Sequence, residues 1–295
     1  MFNLFLLCFA VPKISYLTIQ LTAVRLKFLL FFTALTICFD SNCQTVRTPV
    51  SAIYPSLHTY SSQFRDAFSF RTNSAALAGV KQFSAGIYSE RRFMLQELSS
   101  YSFAAALPTS SGNFGLRGDY FGGQLYNETT LGLGYGKKMG SKVDIGVQFH
   151  YFSMNAAGYG AASAITFDVG AVFHLTEAVQ AGLHTYNPVG MKVGKTGEEK
   201  LPAIYAAGIG YDVSPQFFVG AEAQKTEDQP LTVNAGFHYA FADKLIARGG
   251  ISSATSVYYL GFGVQLKSFR LDATSSFHPY LGVTPGLLLM YSPQK

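Results

Sequence analysis

Strict period-two patterning constrains this chain more than any other feature. In residues 143–152, VDIGVQFHYF, the side chains of Val143, Ile145, Val147, Phe149 and Tyr151 fall on one side, and Asp144, Gly146, Gln148 and His150 on the other. Successive side chains of a β-strand point to opposite faces, so this stretch reads as a strand between an oily and a wet environment. Two architectures accept such a strand. A soluble sandwich buries the apolar face in protein, whereas a membrane barrel turns it to lipid and keeps the polar face round a lumen.

The pattern returns along the chain. Ile165, Phe167, Val169, Ala171 and Phe173 alternate with Thr166, Asp168, Gly170, Val172 and His174, and Leu231, Val233, Ala235 and Phe237 with Thr232, Asn234, Gly236 and His238. No helical period separates these segments, which excludes an alternating α/β enzyme fold. Composition then separates lipid from protein as the apolar solvent. Charged residues make up 13% of the chain, against 26 Phe and 18 Tyr, while an average soluble domain carries about 25% charge. A wall facing lipid needs less. Trp is absent, so Tyr and Phe must supply any girdle at a membrane interface. Of the net charge of +5, Lys13, Arg25, Lys27 and Asp40 contribute +2, and no basic stripe stands out in the remainder. Nucleic acid is therefore not an expected partner.

Fourteen strand-length segments are expected, at 83–91, 98–107, 112–121, 127–138, 142–153, 163–175, 178–186, 201–213, 216–226, 230–241, 244–252, 256–267, 269–278 and 284–292. An even number of strands of about ten residues suits a single-chain bacterial barrel. Strands in lipid cannot leave edge amides without partners, so the first and last segments are expected to pair. Tight connections at 139–141, 176–177, 214–215 and 242–243 should gather at one end, and longer ones at 155–162, 187–200 and 227–229 at the other, facing outward.

Upstream, Arg25 and Lys27 precede an apolar run at 28–39 that ends at Asp40. A basic region followed by about 7–15 apolar residues reads as a secretory signal, and the run is shorter than the about 20 residues a spanning helix needs. Residues 1–44 are accordingly assigned as leader, with LKFLLFFTALT from Leu26 as its compact form. Cys8, Cys38 and Cys43 all lie within it, which leaves the folded part without a disulfide or a cysteine metal site. Residues 45–82 are irregular and rich in Ala and Ser, as expected of short turns in or under a barrel. Within them residues 66–80, DAFSFRTNSAALAGV, resemble the Asn-Pro-Ala motif ahead of the barrel in FadL-like outer-membrane proteins and in related Bacteroidetes barrels, some of them components of the type IX secretion system. Ser74 stands where that motif has proline. The resemblance implies a fourteen-stranded outer-membrane barrel that passes hydrophobic small molecules or serves a secretion complex.

His150, His174, His184 and His238 fall on polar faces together with Asp144, Gln148, Asp168, Glu222 and Asn234, and are the candidates for a polar lumen lining. No tight His spacing marks a metal site, and no local signature selects a nucleophile, so neither a cofactor nor catalysis is expected. Glycines recur at spacing two, at Gly132, Gly134 and Gly136, at Gly208 and Gly210, and at Gly261 and Gly263. They read as an inward strip that lets a plug or neighbouring side chains approach the wall. Gly118, Gly122 and Gly123 are candidates for a wall kink, the feature that in FadL-like transporters releases an apolar ligand sideways into the membrane.

The expectation is thus an all-β transmembrane barrel at 83–295, exported to the bacterial outer membrane, contacting its lipid and carrying hydrophobic small molecules. A structural or partner-binding component among secretion-system proteins is one alternative. A soluble β-sandwich binding protein is the other. An arginine in place of Val147 should be costly in lipid, and one in place of Gln148 mild in a polar lumen.

Overall fold

A computed structural model describes residues 57–193, 199–241, 244–254 and 257–293. The leader, its three cysteines and residues 45–56 lie outside the described residues. Long strands follow one another as the alternation requires: β1 (Ser84–Arg91), β2 (Ser99–Thr109), β3 (Gly112–Gly122), β4 (Tyr126–Met139), β5 (Val143–Ala156), β6 (Gly160–His174) and β7 (Val179–Tyr186). A two-residue ribbon, β8 (Lys192–Val193) with β9 (Glu199–Lys200), interrupts the series. It resumes with β10 (Ile204–Ser214), β11 (Phe217–Thr226), β12 (Leu231–Phe241), β13 (Leu245–Ser252), β14 (Val257–Leu266), β15 (Phe269–His278) and β16 (Gly282–Tyr291).

All the long strands pair antiparallel with their neighbours, β7 joins β10 across the ribbon, and β1 pairs with β16 to close a fourteen-stranded barrel. Closure gives every edge amide a partner. It also rules out the sandwich alternative, which would leave two open sheets. The short connections that follow β2, β4, β6, β10, β12 and β14 gather at one end, here the turn end. β1, β3, β5, β7, β11, β13 and β15 end at the other, the loop end, and the asymmetry in length comes mainly from the connections spanning 92–98 and 187–203.

Burial follows the pleat. On β5, Ile145, Phe149 and Tyr151 are exposed while Asp144, Gln148 and His150 are buried; on β14, Tyr258, Leu260 and Phe262 are exposed while Tyr259 is buried. An exposed apolar face continued from strand to strand is too large for water and suits lipid. Aromatic rings band its turn end: Phe114 with Tyr135 at 5.2 Å, Phe217 with Tyr239 at 5.8 Å, Tyr239 with Phe241 at 4.3 Å, and Phe269 with Tyr291 at 5.1 Å. Near the loop end Tyr101 meets Tyr120 at 6.4 Å. Tyr and Phe stand in for the missing Trp.

Residues 57–80 run inside the barrel as three short 3₁₀ turns, His58–Tyr60, Ser69–Arg71 and Ser74–Gly79. Asn73 starts the last of them, its Oδ1 accepting from the Ala75 N–H at 3.0 Å, which satisfies one of the free donors of a helical start. Phe68, Phe70, Ala76, Leu77 and Val80 of this plug pack with Tyr88, Ala104, Ala106, Leu288 and Met290 of the wall. The inward face is thus apolar where β1, β2 and β16 meet the plug, and elsewhere mixes buried polar groups with apolar ones such as Phe152, Val172 and Phe218. Buried inward Leu288 and Met290 are the price of a filled lumen.

Candidate functional site

The plug lies against bare backbone. Across the ladders Gly136 faces Gly146, Gly146 faces Gly170, Gly182 faces Gly208, Gly210 faces Gly220, Gly220 faces Gly236, and Gly236 faces Gly250. A Cβ at Gly146 would stand 2.3 Å from the Ser74 carbonyl carbon, one at Gly136 2.7 Å from the Ala78 nitrogen, and one at Gly210 2.4 Å from the Tyr60 oxygen. Those distances leave no room for a methyl group, so the glycines set how close the plug sits. Gly132, Gly220, Gly250 and Gly263 accommodate wall side chains instead: those of Gln148 with Arg117, of Phe218, of Tyr259 and of Asp272.

Charge fixes the plug's orientation. Arg65 Nη1 donates to Asp144 Oδ2 at 2.7 Å, and His174 Nε2 lies 3.0 Å from the same oxygen. Arg71 pairs with Asp119, which also accepts from Arg117 Nε at 2.9 Å and from Ser102 Oγ at 2.7 Å. Arg270 Nη2 donates to Asp66 Oδ2 of the plug at 3.0 Å and its Nε to Asp272 Oδ2 at 3.1 Å; Asp272 also takes Arg248 Nη1 at 2.5 Å. In each of these three ion pairs the wall member keeps a second partner on the wall. Neutral donors complete the seat: Tyr60 OH bonds Glu222 Oε2 at 2.6 Å, and Ser61 Oγ and Ser62 N bond the Asp212 carboxylate at 2.5 and 2.8 Å.

The residues singled out by alternation are distributed over this interior. Asp144 and His174 meet at the Arg65 contact, and Glu222 meets Tyr60 directly across the ladder from Asn234. His150 Nε2 lies 2.6 Å from Asp168 Oδ2, with His184 Nε2 3.6 Å from the other oxygen. His238 Nδ1 accepts from Arg248 Nε at 3.1 Å, so His58 Nε2, also at 3.1 Å, must be a donor to it. Gln148 is fully buried, and neither amide atom has a hydrogen-bond partner among the described residues. Among the described residues no group of three His, Cys, Asp or Glu is arranged to hold a metal. Gly118 lies in unbroken ladders on both sides, facing Phe103 and Leu131, and Gly122, with φ +107°, and Gly123 lead into the turn to β4. The ladders are continuous through Gly118 and up to Gly122.

Several interior residues escaped the sequence reading. Arg117 with Asp119 and Arg270 with Asp272 each sit two apart on one inward face, a spacing that alternation alone could have flagged. Arg65, Asp66 and Arg71 belong to no strand and carried no such signal. At the loop end Phe152, Ala162, Ala164 and Met154 of β5 and β6 pack with Val193 and Leu201 of the 187–203 connection. Outside the barrel wall, a hydrogen bond from Lys200, then one from the Ala203 N–H, holds the Glu227 carboxyl below its ordinary range.

No protein-family model matches this sequence, and no curated protein matches it. Solved structures do. A FadL homologue of Pseudomonas aeruginosa is 13% identical, with a TM-score of 0.55 over 78% of this chain and 94% of that one. The toluene transporter TodX of P. putida is 12% identical, with a TM-score of 0.56 over the same 78% and 94%. The likeness is one of fold. At such identities no residue role carries across, and the site rests on its own geometry.

Proposed function

We propose that the protein is an outer-membrane barrel that admits small hydrophobic molecules at its loop end. One observation carries this reading: Phe152, Met154, Ala162 and Ala164 turn inward at the loop end and pack with Val193 and Leu201, an apolar cluster above the polar belt of His150 and Asp168 that suits contact with an apolar guest. Likeness in fold to a toluene transporter supports the same direction. The plug fills the barrel below, and the wall is continuous at Gly118, so a guest pauses in this patch before moving on. Titration of the bilayer-reconstituted protein with a fluorescent fatty acid tests it. Saturable binding is expected, weakened about tenfold or more by Phe152→Asp because a buried carboxylate replaces an apolar contact. Binding that Phe152→Asp leaves unchanged rejects the seat.

The second reading is a partner-binding component of a secretion complex. It is favoured by a lumen filled with a charge-locked plug, which suits a scaffold. Cross-linking in the native membrane separates the two: a stoichiometric protein partner together with no saturable fatty-acid binding selects the scaffold.

A further inference from the structure

Folding brings together lysines that are scattered in sequence. Lys81 before β1, Lys137, Lys138 and Lys142 around the β4–β5 turn, Lys244 before β13 and Lys267 before β15 all stand exposed at the turn end. Among the described residues Glu177 is the one exposed acidic side chain there. The loop end differs: Arg91, Lys192, Lys200 and Lys225 are matched there by Glu97, Glu128, Glu227 and Asp228. The basic excess of the barrel is therefore polarised along its axis, an arrangement no linear stripe could have revealed.

Position gives the excess a meaning. Lys81 lies two residues before Phe83, Lys137 two after Tyr135, Lys244 three after Phe241, and Lys267 two before Phe269, all members of the turn-end aromatic band. At about 3.3 Å of rise per strand residue the backbone at Lys81 and Lys137 lies about 7 Å along the chain from its aromatic residue, while Lys244 and Lys267 sit in the turns directly capping Phe241 and Phe269, the Lys244 N–H bonding the Phe241 carbonyl at 3.1 Å and Leu266 pairing with Phe269. Aromatic girdles mark the boundary of the hydrocarbon, so the lysines stand at the depth of lipid headgroups. We propose that the turn end is a docking collar for anionic phospholipid headgroups. An acidic protein would meet a patch on one side, whereas these lysines are spread over the β1, β4–β5, β12–β13 and β14–β15 positions of the ring, as a surrounding leaflet requires. Each lysine adds attraction that salt screens within a Debye length.

The collar rests on the membrane-barrel reading and is tested separately from the apolar seat. Full-length protein is reconstituted in nanodiscs of mixed phosphatidylglycerol and phosphatidylcholine, and the lipid retained on release is measured by native mass spectrometry. Wild type is expected to retain phosphatidylglycerol about tenfold over phosphatidylcholine at low salt, with the preference shrinking at high salt. The triple variant Lys137→Gln, Lys138→Gln, Lys142→Gln should lose most of that preference, while the loop-end triple Lys192→Gln, Lys200→Gln, Lys225→Gln keeps it. Heat-dependent gel mobility verifies that both variants fold. Equal retention of the two lipids by wild type, or equal losses in the two triples, overturns the collar. Fatty-acid binding is untouched by the turn-end triple if the two proposals are independent; a wild type that shows the lipid preference but no saturable fatty-acid binding rejects only the seat.

Discussion

At Gly146 one missing methyl group decides whether the plug fits. A side chain there meets the backbone of Ser74 and Ala75 within 2.4 Å, so Gly146→Val should loosen the plug by about 1–3 kcal/mol through overpacking. Limited proteolysis reads the result as faster cutting within residues 57–80. Gly118→Ala is the matched control, since its Cβ would find only an ordinary contact, 3.5 Å from Leu131 Cδ2, and it should change nothing. The spacing of such glycines was legible, because a strand shows its inward face every second residue. Gln148 was not. Its polarity suggested a tolerant, wet position, yet it is buried against the space that Gly132 leaves. Gln148→Arg is therefore expected to be costly too, contrary to the simple lumen picture. Val147→Arg still tests the lipid face, at about 2–4 kcal/mol in urea unfolding from bilayers; a change below about 0.5 kcal/mol would count against lipid at Val147.

Among the elements, the strands could be read to within a few residues because alternation and turn chemistry agree along each one. The plug could be placed only as irregular, since 3₁₀ turns seated on a wall carry no period of their own. Its ion pairs join residues such as Arg65 and Asp144 that are remote in sequence. The 187–203 connection shows how a loop is fastened: Lys200 bonds Glu227, which also accepts from the Ala203 N–H at 3.3 Å. Glu227 is held below its ordinary range and Lys200 above its own. The carboxylate's contribution is complete above the ordinary carboxylate range and fades as pH falls through the lowered value. The ammonium's persists below the ordinary lysine range and fades only as pH rises through the raised one. Amide exchange at Leu201 and Ala203 should therefore be slow near pH 7 and, after correction for intrinsic rates, quicken below about pH 4. Corrected protection that stays flat across that range means the tether does not hold the loop.

For the whole molecule, closure followed from physics once strand number and amphipathicity were known, whereas the state of the lumen did not. Planar-bilayer recording addresses the lumen directly. Wild type should conduct poorly, and deletion of residues 57–80 should give stable open channels. Equal conductance in the two would mean that the plug does not block the path.

The doubled ion pairs bear on that deletion. An acid or base stranded in a dry interior costs several kcal/mol, but Asp144 falls back on His174, Asp119 on Arg117, and Arg270 on Asp272. In the emptied cylinder those three wall groups keep a hydrogen-bond partner, and Asp212 and Glu222, which lose Ser61, Ser62 and Tyr60, become the points where entering water must take the plug's place.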